Sequence, residues 1–249
     1  MREPEFIGFE NYTRFAASEL FWKVMRNTLL FSLMTVVPAF FIGLGFAMLV
    51  NKQRAKGIGF YRTSFFYPVM MPMIAIASIW LFMYMQESGM VDQFMLWMGR
   101  KPIAALSNRS TVLPALSVMY VWREAGYLMI FFLSGLQSLD PEIFEAALID
   151  GSSPLRTFRK ITLPLLAPTT LFVTITALTD SLKLVDHIVI MTEGAPNNAS
   201  TLLLYYIYQH GFIFFDQAKA SALTMVMLII MLTISMGQFL NQDKKIYYN

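Results

Sequence analysis

Ionisable side chains stand inside otherwise apolar stretches at two places. One is Trp122-Arg123-Glu124 with Tyr127; the other is Asp180, Lys183 and Asp186. An ionisable group within a membrane span costs roughly 2.5–3.5 kcal/mol on insertion scales, so it faces a cavity or a partner. Asp180, Lys183 and Asp186 follow one another at i,i+3 spacing, and on a continuous helix they share one side. Two chemistries fit these residue types. In the first they are internal ion pairs that fix helix packing. In the second they line a wet cavity for a hydroxylated ligand, with aromatic faces stacking on a sugar ring and carboxylates accepting from hydroxyls. Arg123 and Lys183 also suit an anionic ligand such as a glycerol phosphate. The candidate ligand-path residues are therefore Trp122, Glu124, Tyr127, Asp180, Lys183 and Asp186.

Positioning such groups requires membrane-spanning helices. Hydrophobic residues make up 56% of the 249 and charged residues 14%. Residues 27–50 contain no Asp, Glu, Lys or Arg, and neither do 63–86 or 220–242. A helix rising about 1.5 Å per residue crosses a hydrocarbon core of roughly 30 Å in such a length. Two further apolar stretches, 110–139 and 161–179, contain or meet the charges described above. Five spans are predicted, at about 27–50, 64–86, 112–136, 163–190 and 218–240. The expected fold class is all-α, a polytopic membrane helical bundle in a single domain.

Charge sets the orientation. The short loop after the first span carries Lys52, Arg54 and Lys56, then Arg62, and reads as cytoplasmic. Alternation places 87–111 outside, 137–162 inside, 191–217 outside and the tail with Lys244 and Lys245 inside. The 191–217 segment has no Lys or Arg, in agreement. The first residues are too charged for a signal peptide, with Arg2, Glu3, Glu5, Glu10 and Arg14 leaving no apolar core.

Several function classes are excluded. Without cysteine there are no disulfides, Cys-based zinc sites or thiol catalysis. There is no GxxxxGK[ST] phosphate loop, no HExxH and no GxSxG. His187 and His210 have no ligand-like partner at helical spacing, so neither a metal site nor a cofactor is expected. A net charge of +3 suggests no nucleic-acid role.

The inner segment 137–162 holds the second constellation, within EAALIDGSSPLRTFRKITLP. It reads as two short helices joined by a hinge. Asp140 is placed to cap the first helix, with Pro141 at its first position. Gly151 sits where a helix C-terminus needs a left-handed residue. Ser153-Pro154 restarts a helix by the same chemistry. Ala146 and Ala147 leave a face open to close approach, and Arg156, Arg159 and Lys160 put positive charge near the end of the second helix. An amphipathic connector would use the same capping.

The spacing of this segment resembles the EAA motif of ABC-importer permeases: EAA, three residues, Gly, nine residues, then Ile-x-Leu-Pro. Glu145, Ala146, Ala147, Gly151, Ile161, Leu163 and Pro164 fill every position. Other stretches are similar to the carbohydrate-uptake branch, the MalF/UgpA-like permeases: FIGFENYTRF at 6–15, FWKVMRNTLLFS at 21–32, FYRTSFFYPVMMP at 60–72 and GLQSLDPEIFEAALIDG at 135–151. ITLPLLAPT at 161–169, VIMTEGAPNNASTLLLYYIYQHGF at 189–212 and KASALTMVMLI at 219–229 extend the likeness over almost the whole chain. Members of that family usually have at least six spans, the first preceding the FIGFENY-like segment, so a further helix is expected before residue 1.

The resemblance implies a type I importer half in the bacterial plasma (inner) membrane. Its partners would be a second permease subunit in a heterodimer, two ATP-binding ATPase subunits and an extracytoplasmic solute-binding protein. The EAA segment would couple to the ATPase, where ATP hydrolysis would occur, and this chain would not itself be an enzyme. The implied cargo is a sugar or oligosaccharide, with glycerol phosphate or a related anion as the alternative. Two rival classes are a secondary transporter using Asp180 or Glu124 as a proton relay, and an intramembrane enzyme with a carboxylate pair. Neither needs a capped EAA segment, and no inverted repeat is detectable.

Overall fold

The computed structural model describes residues 6–51 and 57–243. Lys52, Arg54 and Lys56 of the predicted inner loop lie outside the described residues, as do Arg2, Glu3, Glu5 and the tail lysines Lys244 and Lys245. Every regular element among the described residues is a helix. In chain order they are α1 (Glu10–Ala16), α2 (Glu19–Val50), α3 (Ile58–Met70), α4 (Met73–Met83), α5 (Met90–Trp97), α6 (Val112–Gln137), α7 (Pro141–Ile149) and α8 (Pro154–Thr157). A π-helical turn at Phe158–Thr162 leads into α9 (Leu163–Leu165), α10 (Ala167–Leu182), α11 (Asp186–Met191) and α12 (Leu203–Tyr208). A second π-helical turn, Gln209–Ile213, precedes α13 (Gln217–Asp243).

Among the described residues, three helices are long and apolar enough to cross a membrane: α2, α6 and α13. The predicted span at 64–86 is not one straight helix. It is α3 and α4, bent by 97° at their junction. Pro72 explains the break, because the ring of a proline pushes the preceding residue out of the α region. Met71 is accordingly extended, at φ −82° and ψ 141°. The predicted span at 163–190 is also interrupted. The α8–α9 segment meets α10 at a 70° bend, and α10 stops at Leu182, three residues before α11 begins.

The chain divides into two compact units, each drawing on several of these helices. One comprises residues 1–34, 73–117 and 181–232; the other comprises 35–72, 118–180 and 233–249. In the first unit, α11 packs against α4. Its sharp turn at 192–202 is tied to α2 by side chains: Asn27 Nδ2 donates to the carbonyls of Asn198 (2.9 Å) and Thr201 (3.2 Å). The Thr28 hydroxyl accepts from the backbone N–H of Leu203 at 2.9 Å.

The second unit holds an apolar core built from α2, α6, α10 and the approach to α10. Val36, Ala39, Leu44, Leu128, Phe132, Leu166 and Val173 are among its buried members. Small residues bring its helices close, as membrane packing requires. The tightest point is Gly126, where an added Cβ would fall 1.9 Å from the carbonyl oxygen of Phe65. Phe46 and Phe65 stack with ring centroids 4.1 Å apart.

Candidate functional site

Glu124 is the centre of the buried polar cluster in α6, with 3% of its surface exposed. Tyr120, one helical turn earlier and also buried, donates a side-chain hydrogen bond to it. Arg123 Nη1 lies 3.7 Å from Glu124 Oε2, an ion pair longer than a hydrogen bond. Asp180, half-buried near the end of α10, acts electrostatically on Glu124, Tyr120 and Tyr127. Tyr127 follows Glu124 at i,i+3, on the same side of α6. Glu124 Oε1 is buried with no hydrogen-bond partner among the described residues. A buried acceptor left in that state is costly, and a hydroxyl donor reaching it would remove the cost.

The remaining candidates separate. Trp122 is exposed, whereas Glu124 is buried, so α6 presents the two to different surroundings. Lys183 and Asp186 are exposed and belong to the other compact unit. The expectation that Asp180, Lys183 and Asp186 share one side of a continuous helix is corrected. Asp180 is in α10, Lys183 lies in the break, and Asp186 opens α11. The i,i+3 register has no meaning across three non-helical residues.

Tyr120 is not among the predicted site residues, although its i−4 spacing from Glu124 puts the two on one side of a helix. His187 is fully buried on α11 and stacks on Phe31, with centroids 5.5 Å apart. No group of three His, Cys, Asp or Glu that could hold a metal ion occurs among the described residues.

The α7–α8 segment is built from local chemistry throughout. The Asp140 carboxylate accepts from Glu142 N–H at 2.9 Å, and Pro141 occupies the first turn. At the other end Gly151 is left-handed, with φ +68°. Its N–H donates to Leu148 O (3.1 Å) and the N–H of Ser152 donates to Ala147 O (3.0 Å). This pair of bonds is a Schellman closure of the helix. Ser153 then caps α8, its hydroxyl accepting from Arg156 N–H at 3.4 Å. The π-helical turn that follows has a physical cause. Pro164 lacks an N–H and its ring crowds the carbonyl four residues back, and a widened turn relieves both.

Of the motif residues, Ala147 is buried, while Glu145, Ala146, Gly151 and Pro164 are exposed. Ile161 is half-buried in the π-helical turn, and Leu163 packs against the core. Leu148, Ile149 and Leu155 stand out in the open at 77%, 86% and 60% exposure. Phe144, on α7, lines a cavity of ≈ 230 Å³ with Met48, Asn51, Leu136 and Thr162.

Residues 28–245 match the family described as the binding-protein-dependent transport system inner membrane component. The chain belongs to that family. It is an inner-membrane transport permease of the ABC-importer kind, and not an enzyme. The sulfoquinovosyl glycerol transport permease SmoG of Agrobacterium fabrum is 32% identical over 93% of this chain and 75% of its own length. The trehalose/maltose transport permease MalF of Thermococcus litoralis is 31% identical over 94% of this chain and 78% of its own. The sn-glycerol-3-phosphate transport permease UgpA of Shigella flexneri is 29% identical over 98% and 82%. A chain of the bacterial ABC transporter that imports the acidic polysaccharide alginate superposes with a TM-score of 0.88 at 22% identity, covering 97% of this permease and 85% of that chain. That likeness establishes the fold: a helical importer permease.

Proposed function

We propose that this permease forms half of the translocation pore of an ATP-driven, binding-protein-dependent importer. Its α7–α8 segment couples that pore to a separate ATPase. The observation that carries this reading is the exposure of Leu148, Ile149 and Leu155 on two helices, each capped at its N-terminus and outside the apolar stretches. Contiguous apolar side chains left open on a rigid element mark a protein contact. A groove on an ATPase subunit is a fitting receiver, and a capped helix pair transmits its displacement as a rigid body. The further partners are a second permease subunit in a heterodimer, two ATPase subunits and an extracytoplasmic binding protein.

The cargo is a sugar or oligosaccharide. Relatives named for sulfoquinovosyl glycerol and trehalose/maltose support this, as does the Glu124 carboxylate, an acceptor for hydroxyls. Arg123 beside Glu124, together with the relative named for sn-glycerol-3-phosphate, favours an anionic glycerol derivative as the second reading. Uptake competition between a neutral disaccharide and glycerol phosphate separates the two.

The coupling role is tested by the double variant Leu148→Glu with Ile149→Glu, measured in the assembled importer. The expected result is normal membrane insertion with at least tenfold loss of both ATPase capture and uptake. Wild-type capture and uptake would overturn it. Because the chain has no cysteine, a single Ser152→Cys substitution reports the side. It should resist an impermeant thiol reagent added to intact cells.

A further inference from the structure

The connection between α4 and α6 contains a helix that is inside out for a water-exposed element. On α5, Met90, Phe94 and Trp97 recur at i, i+4 and i+7 and form one stripe, and they are 70%, 56% and 81% exposed. Asp92, on the opposite side, is 2% exposed. Its carboxylate accepts from Glu87 N–H at 3.0 Å and from Ile103 N–H at 2.9 Å. The acid therefore staples together the two ends of the segment that carries α5. The helix is held with its carboxylate inward and its aromatic residues outward. A helix facing water shows the reverse pattern. Phe94 and Trp97 stack, with centroids 5.8 Å apart, and form a continuous apolar surface. Gly99, at φ +71°, turns the chain, and the exposed Arg100 and Lys101 follow at once.

We propose that α5 lies in the headgroup–acyl boundary of the bilayer. Met90, Phe94 and Trp97 point toward the acyl chains, and Arg100 and Lys101 pair with the phosphates of anionic phospholipids. Two observations favour lipid over a protein partner. First, α5 packs against α4, the second half of a bent pair apolar enough to cross the membrane. It follows α4 after a short connection, so it starts where that apolar stretch ends. Second, aromatic residues beside cations are the composition of interfacial helices, in which the rings sit at headgroup depth and the cations meet anionic lipid. The leaflet, but not the boundary position, rests on the orientation proposed above, which puts 87–111 on the outer side.

The absence of native cysteine makes single-site spin labelling direct. Met90→Cys, Trp97→Cys and the control Asn108→Cys are each labelled with a nitroxide in the importer assembled with its partner subunits. The assembly is placed in nanodiscs of phosphatidylethanolamine and phosphatidylglycerol. Collision with oxygen reports lipid, and collision with an aqueous nickel chelate reports water. The expected result is an oxygen-to-nickel collision ratio several-fold higher at 90 and 97 than at 108. A ratio equal to that at 108 would place α5 in water and overturn the proposal. Low collision with both reagents would place it against protein, and would overturn it equally. Met90→Cys keeps Trp97, so the reading does not depend on removing the anchor. Adding Arg100→Glu with Lys101→Glu should lower the ratio at 90 in phosphatidylglycerol but not in phosphatidylcholine alone; an equal response in both lipids would overturn the phosphate pairing. Labelling of Asn108→Cys in intact cells by an impermeant maleimide fixes the leaflet separately. A negative result there overturns the orientation and leaves the collision ratio to decide the boundary position.

Discussion

Glu124 and Leu148 are in opposite predicaments within the same compact unit. Glu124 is a polar side chain buried with one carboxylate oxygen unpartnered. Leu148 is an apolar side chain held 77% exposed. Each is costly in isolation. The means of holding them differ. Leu148 is presented by Asp140, Gly151 and Ser153, all within a few residues of it, so its exposure is built into the local chain. Glu124 depends on Tyr120 and Arg123 on its own helix and on Asp180 from another, so its state depends on how α6 and α10 pack. A surface held by local bonds tolerates changes elsewhere, whereas a cluster held by packing fails when the packing is disturbed.

The largest expected effect breaks the packing that the Glu124 region depends on. Gly126→Val puts a side chain where a Cβ already lies 1.9 Å from a backbone carbonyl of α3, and backbone cannot give way as a side chain can. Ordinary core overpacking costs about 1–3 kcal/mol, and an approach of 1.9 Å to a backbone atom lies beyond that range. The expected outcome is severe loss of folded protein in the membrane, measured by detergent-extracted monodisperse yield. Near-normal yield would show that α3 and α6 separate freely.

Next in size are Glu124→Gln and Asp180→Asn, which decide what the buried cluster is for. If these carboxylates line the ligand path, yield stays near normal and uptake falls. If they are packing partners, stranding a buried charge costs about 3–5 kcal/mol and complex yield collapses first. Full yield with full uptake would sink both readings.

The smallest effects fall on the locally built segment. Gly151→Val forces a β-branched residue into φ +68°, a strain of about 1–3 kcal/mol. No neighbouring atom lies within 4 Å of the added Cβ, so the strain is conformational and not steric. Insertion should be unaffected while uptake and coupled ATPase activity fall several-fold; unchanged coupled uptake would remove the hinge role. Asp140→Ala, which deletes only a cap, should cost about 0.5–2 kcal/mol and affect coupling less than Gly151→Val.

Some of this protein was determined by its residues alone. The charge-free stretches 27–50 and 220–242 became parts of α2 and α13, and the apolar stretch 110–139, broken only by Arg123 and Glu124, became α6, because burial of apolar surface needs no particular partner. The two caps and the left-handed Gly151 of the α7–α8 segment followed from residues adjacent in the chain. The bend before Pro72 was legible for the same reason, although the continuous apolar run from 63 to 86 masked it. Tertiary structure decided the rest. No Gly or Pro marks the break between Leu182 and Asp186. There the Ser181 hydroxyl donates to Ser32 at 2.9 Å, and His187 and Ile188 are buried where α11 packs on α4. Asp92 turned inward because Glu87 and Ile103 offer it backbone N–H groups, and Glu124 met Asp180 because two separate helices converge. Capping and proline chemistry act over a few residues and can be read along the chain. A helix end set by a partner 149 positions away, as at Ser181, cannot be.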